Sequence, residues 1–244
     1  MYYIVYDNFL PAHEFGDLKS YLGPDGLFPW TLSGRINAMQ TENEQHYFAT
    51  NVFHSNNPPR EQWNNGVDLS KFFYITSKLY VDGFQRIKAN LYFPSNTGKV
   101  THHAPHVDSD FKHNGALFFT QTCNAPTTMY DGTEIESVEN RLLLFDPTTA
   151  HSSSSPTDAP YRVTININYF GAGIQPNYQR GMTNPTPTLV KNGELVDNCF
   201  FTDGENNPSG TSTFAPDKMM RTTILNVPKI KKKDSGEETP KAKK

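Results

Sequence analysis

Two stretches of the chain alternate strictly in polarity, and a period of two confines them to extended backbone. In residues 86–93, Ile87, Ala89, Leu91 and Phe93 share one face, and Lys88, Asn90 and Tyr92 share the other. In residues 161–170, Val163, Ile165, Ile167 and Tyr169 oppose Arg162, Thr164, Asn166 and Asn168. Three more extended segments lie between them. Residues 116–122 read as a further strand, residues 128–134 carry the two-residue hairpin signal Asp131-Gly132, and Arg141–Phe145 is stopped by Asp146-Pro147. Strands this short, joined by turns and with no helix between them, predict a sandwich or jelly roll rather than βαβ units. The 17 Phe and 12 Tyr suit strands, and the 18 Pro and 16 Gly suit the turns between them.

The N-terminal part reads differently. Residues 2–6 predict a strand. Phe15, Leu18, Tyr21 and Leu22 then fall at helical spacing, with Pro11 near the start and Gly23 just beyond the end. Residues 30–65 are rich in Asn, Gln, Ser and Pro and predict loops with short strands, one of them over 45–53. Residues 69–82 fit a second amphipathic helix. The expected organisation is a mainly β jelly-roll domain over 1–172 with flanking N-terminal helices. A loop-rich extension over 173–228 follows, packing on the core, with a hairpin around Lys191-Asn192-Gly193. Residues 229–244 hold seven Lys against three acids and predict a disordered basic tail.

Charge narrows the function classes. The net charge is −3, and residues 1–228 carry −7 once the +4 of the tail is set aside. No general electrostatic attraction to nucleic acid or to an anionic membrane follows from that balance. The start of the chain has no basic leader, and no segment approaches the ~18 apolar residues of a membrane span. The two cysteines, Cys123 and Cys199, exclude a disulfide framework and are expected as reduced, buried thiols of a cytoplasmic protein.

The chemistry gathers around the histidines. His102, His103, His106 and His113 fall within twelve residues, and one of them opens His106-Val107-Asp108. Two ligands one residue apart on a strand point to the same face and reach one ion. A facial triad needs a second histidine from elsewhere in the fold. His151 supplies it, one turn beyond the apolar strand Arg141–Phe145 and 43 residues after Asp108. Eleven residues further on, Arg162 sits on the polar face of the last alternating strand, suited to pair bidentately with a carboxylate. His102, His103 and His113 head no His-x-Asp or His-x-Glu and are read as bystanders.

Taken in order, Asn90-Leu91-Tyr92, His106-Val107-Asp108, Tyr130-Asp131-Gly132-Thr133-Glu134, Leu142-Leu143-Leu144-Phe145-Asp146, His151 and Arg162 resemble the 2-oxoglutarate/Fe(II) oxygenase superfamily. The layout is most similar to its prolyl-4-hydroxylase-like branch, over residues 1–172. The resemblance implies a double-stranded β-helix with Fe(II) at one mouth, held by His106, Asp108 and His151 as both the catalytic and the metal-binding set. It also implies 2-oxoglutarate bound by Arg162, with Tyr92, Asn90 and Thr164 as further contacts, O2 as oxidant, and ascorbate as a candidate accessory reductant. The implied reaction splits 2-oxoglutarate to succinate and CO2 and hydroxylates a C–H bond, first of all on a prolyl side chain of a protein or peptide. Alternatives are a free amino acid or other small molecule, or nucleic-acid demethylation, which the acidic domain disfavours. Outside enzymes, a jelly roll also serves as a structural or sugar-binding module. Arg162 departs from the Lys common in the prolyl-hydroxylase pattern, which loosens the link to proline but not to 2-oxoglutarate.

Overall fold

The computed structural model describes residues 2–33, 47–174, 187–191 and 194–196. Strand β1 (Tyr2–Tyr6) leads into helix α1 (Ala12–Leu22), short strand β2 (Leu32–Ser33), strand β3 (Tyr47–His54) and helix α2 (Leu69–Thr76). Long strand β4 (Leu79–Tyr92) starts the β core. It is followed by β5 (Thr101–His102), β6 (Asn114–Phe119), β7 (Cys123–Met129), β8 (Glu134–Ser137) and β9 (Arg141–Phe145). The pair β10 (His151–Ser152) and β11 (Ser154–Ser155), long strand β12 (Arg162–Ile174), β13 (Pro187–Lys191) and β14 (Glu194–Val196) complete the order.

These strands form two layers. The large antiparallel sheet runs β14-β13-β1-β9-β6-β12-β4-β3-β2. Opposite it, β10-β7-β8 form one small sheet and β11-β5 a second. From β4 to β12 the chain crosses between the layers: β4, β6, β9 and β12 belong to the large sheet, and β5, β7, β8, β10 and β11 to the small ones. That winding is the expected jelly roll. The interval between Asp108 and His151 holds four strands, β6 to β9, one more than the sequence pattern resolved.

Alternation explains how both faces of the large sheet are used. Ile87, Ala89, Leu91, Ala116, Phe118, Leu142, Leu144, Val163, Ile165 and Ile167 point to one side, where Leu18 and Leu22 of α1 and Phe72 and Ile75 of α2 cover them. On the opposite face, Leu117, Phe119, Leu143 and Phe145 pack against Met129 and Ile135 of the small sheet. The remaining positions of that inner face, on β4 and β12, are polar. They enclose a cavity instead of a core.

Local chemistry sets several boundaries. Asp68 caps α2 by accepting from the Ser70 amide at 3.1 Å. Buried Asn140 ties the start of α1 to β9, accepting from the Leu10 amide and donating to the Leu10 carbonyl, each at 2.8 Å. The hairpin β7–β8 is closed differently from the two-residue turn expected. Met129 and Thr133 pair around a three-residue loop with Gly132 at φ 82°, a left-handed position glycine adopts without strain.

Other expectations are corrected. The predicted helix 69–82 stops at Thr76, because Leu79, Tyr80 and Val81 pair with the far end of β12. Tertiary pairing outweighs a helical spacing that aromatic and β-branched residues fit poorly. Phe93 lies beyond β4 and is exposed rather than in line with Leu91. Gly23 does close α1 where the sequence placed it, with extended backbone. Around the predicted C-terminal hairpin, Lys191 pairs with Glu194, and β13 also pairs with β1, joining this segment to the large sheet. Cys123 is buried as a free thiol. Cys199 and the basic tail lie outside the described residues, and among the described residues no helix is long and apolar enough to cross a membrane.

Candidate metal centre

Backbone pairing brings the two distant histidines together. The His106 amide donates to the His151 carbonyl and the His151 amide to the His106 carbonyl, each at 2.9 Å. The Asp108 amide donates to Pro147 at 3.0 Å, fixing the other end of the His-x-Asp segment. The imidazole rings stand 4.7 Å apart. One ligand atom from each of His106, Asp108 and His151 lies within 4.8 Å of the other two.

These atoms face one another without hydrogen bonding. His106 Nε2 is 3.7 Å from Asp108 Oδ1, and His151 Nε2 is 3.9 Å from Asp108 Oδ2, both beyond hydrogen-bond range. His151 Nδ1 lies 3.0 Å from the Thr149 carbonyl, which only accepts, so Nδ1 is the donor and Nε2 is the nitrogen turned toward Asp108. Burial, followed by the neighbouring His151, pushes His106 down to about 4, so its ring is neutral at ordinary pH. Two imidazoles and one carboxylate converging on a point is the donor set of a facial triad, and the residues fit a ferrous ion.

The carboxylate is held from both sides. Arg86 donates Nη2 to Asp108 Oδ1 at 2.8 Å, and Asn166 donates Nδ2 to Oδ2 at 2.9 Å. Burial works against the charge of Asp108, yet Arg86, His151 and the Asn166 bond outweigh it and hold the group at about 2. No motif in the sequence gives Arg86 or Asn166 a role in the site. Both sit on the alternating polar faces, two residues from Lys88 and Thr164 respectively, so the period itself carried the signal.

The triad opens onto a cavity of about 560 Å3 between the layers. Its floor is a ladder across β4 and β12: Tyr92 opposite Arg162, Asn90 opposite Thr164, and Lys88 opposite Asn166. Asn90, Thr164 and Tyr92 are all buried and line this cavity, so the polar faces of both strands turn inward. Tyr92 stacks on Tyr47 with ring centres 5.4 Å apart and lies 5.7 Å from the Arg162 guanidinium carbon.

Arg162 is 0% exposed. Its Nη2 donates to Thr127 Oγ1 at 2.8 Å, Nη1 to the Ser154 carbonyl at 3.3 Å and Nε to Ser137 Oγ at 3.4 Å. None of these partners is acidic, and among the described residues Arg162 forms no ion pair. Of the bystander histidines, His103 is buried, bonded to the Ser153 and Ser155 hydroxyls at 2.8 and 3.1 Å. His102 and His113 belong to no metal-binding group among the described residues.

No protein-family profile and no curated protein matches the chain in sequence. In structure it is similar to a prolyl hydroxylase in complex with a hypoxia inducible factor oxygen degradation domain peptide fragment from Trichoplax adhaerens, at 14% identity and TM-score 0.48 over 75% of this chain and 87% of that one. It is also similar to a Pseudomonas putida prolyl-4-hydroxylase, at 14% identity and TM-score 0.42 over 69% of this chain and 92% of that one. A third similarity is to an oxidoreductase of the 2OG-Fe(II) oxygenase family from Burkholderia pseudomallei, at 10% identity and TM-score 0.42 over 67% and 82%. At identities this low, function has to be read from the side chains of the site.

Proposed function

We propose that the chain is an Fe(II)- and 2-oxoglutarate-dependent dioxygenase that hydroxylates a C–H bond, with a prolyl side chain of a protein or peptide as the first substrate to test. One observation carries the reading: a convergent His106–Asp108–His151 set shares a cavity with a fully buried arginine that has no acidic partner among the described residues. A buried guanidinium without a counter-charge is costly, and an anionic ligand relieves that cost. A dicarboxylate reaching from the metal to Arg162 satisfies both ends of the cavity.

Each residue then has a task. His106, Asp108 and His151 hold the iron and leave its other positions open. When bound, iron with 2-oxoglutarate and O2 supplies the oxidising chemistry, giving succinate, CO2 and a hydroxylated product. Arg162 orients the distal carboxylate, with Thr164, Tyr92 and Asn90 along the path between. Arg86 and Asn166 keep Asp108 ionised and fixed in orientation. Burial by the two sheets excludes water from the deep end.

The test is succinate release from 2-oxoglutarate by the intact protein with Fe(II), screened across prolyl peptides, free amino acids and methylated nucleic acid. Iron-dependent succinate that one substrate class stimulates supports the reading. No iron-dependent succinate under any condition overturns it.

A further inference from the structure

Beyond Arg162, the same cavity holds two more cations, and both stand at the level of the metal set. Lys88 lines the cavity opposite Asn166, the residue that holds Asp108. Its ammonium donates to the Tyr47 hydroxyl at 2.7 Å, a neutral partner, and forms no ion pair among the described residues. Arg86 uses Nη2 on Asp108, while its Nε is buried with no partner among the described residues.

Charge bookkeeping separates this position from the co-substrate end. Among the described residues, the cavity presents Arg86, Lys88 and Arg162 against the single carboxylate of Asp108. A divalent ion and a dianionic co-substrate cancel one another, so two positive charges stay unmatched. Lys88 and Tyr92 are four residues apart on β4, roughly 13 Å along the strand. The far carboxylate of the co-substrate is taken by Arg162, opposite Tyr92, and the near one by the metal, so neither neutralises Lys88. The bond to be oxidised must lie near the metal, which is where Lys88 stands.

We propose that Lys88, with the free edge of Arg86, is an anion subsite for the substrate, and that the substrate carries a carboxylate close to the bond that is hydroxylated. The inference rests on the dioxygenase reading and names the substrate class for that site. The carboxylate belongs either to a free amino or organic acid or to an acidic residue or C-terminus of a peptide, and the two sources share one recognition chemistry.

The experiment uses the full chain. Iron-dependent succinate formation is measured with free amino acids, with acidic prolyl peptides, and with the primary amide of each. The expected result is stimulation by acids at least tenfold above their amides, with the responding arm naming the source. Lys88→Met is expected to lose at least tenfold in kcat/KM for the responding acid while keeping the KM for 2-oxoglutarate within twofold. Binding of that acid to metal-free protein saturated with 2-oxoglutarate, read by equilibrium dialysis, is expected to weaken by a similar factor in the variant. Amides that serve as well as acids overturn the proposal. So does a Lys88→Met variant with unchanged substrate binding, or one whose main defect is a raised KM for 2-oxoglutarate, which makes Lys88 a co-substrate contact. A wild-type protein with no iron-dependent succinate at all overturns the dioxygenase reading itself, an outcome distinct from these.

Discussion

Arg86 Nη2 lies 2.8 Å from Asp108 Oδ1, and the carboxylate side chain it touches is only 1% exposed. This pair holds a negative charge in the protein interior before any metal arrives. A metal ion and Arg86 thus do overlapping electrostatic work on one carboxylate.

Removal of Arg86 exposes that overlap. Arg86→Met leaves Asp108 buried without its guanidinium and is expected to destabilise the metal-free protein by about 2–3 kcal/mol, toward the low end for broken buried pairs because Arg86 is partly exposed. Manganese, a redox-inert stand-in, is then expected to stabilise the variant more than the wild type. Thermal melts with and without Mn(II) check this, and an unchanged metal-free melting temperature contradicts it.

Arg162 predicts the opposite sign. Its guanidinium is fully buried among hydroxyl and carbonyl partners. Arg162→Met is expected to leave the metal-free protein as stable as the wild type or up to about 3 kcal/mol more stable. The same change is expected to raise the KM for 2-oxoglutarate at least tenfold, with partial recovery in Arg162→Lys. A variant that is strongly destabilised yet binds 2-oxoglutarate normally marks Arg162 as structural.

Acid stability follows from two buried imidazoles. Burial, then the charge of Arg162, pushes His103 down to about 3, and burial, then His151, pushes His106 to about 4. In the unfolded chain both protonate near 6.5. The unfolded state therefore takes up protons first, and stability is full above about pH 6.5 and is lost as the pH falls toward 4 and 3. Each unit of difference is worth ~1.4 kcal/mol. Melting temperature of the metal-free protein across pH 3–7 measures the loss. A decline that starts only below pH 4 contradicts it, since carboxylates alone then account for acid unfolding.

Much of this architecture was readable because the alternation in residues 86–92 and 162–169 survives burial on both faces. Ile87, Ala89, Val163 and Ile165 meet the helices, and the intervening polar residues line the cavity. The triad was legible for a related reason: His-x-Asp sits in the sequence, and His151 follows a clear apolar strand. What stayed hidden depends on pairing. Asn166 and Arg86 are ordinary polar strand residues until β4, β12 and the His106 segment converge on Asp108. Thr127, Ser137 and Ser154 come from three different strands to seat Arg162, and nothing in their spacing announces it. Residues 79–82 failed the other way, fitting a helical period until β12 recruited them.

The most direct test is anaerobic addition of 2-oxoglutarate to the Fe(II)-loaded protein, followed in the visible spectrum. A weak metal-to-ligand charge-transfer band is expected that saturates at one equivalent of iron, disappears in Asp108→Ala and needs far more 2-oxoglutarate in Arg162→Met. Wild-type protein that binds Fe(II) without such a band, or a band that persists in Asp108→Ala, contradicts it.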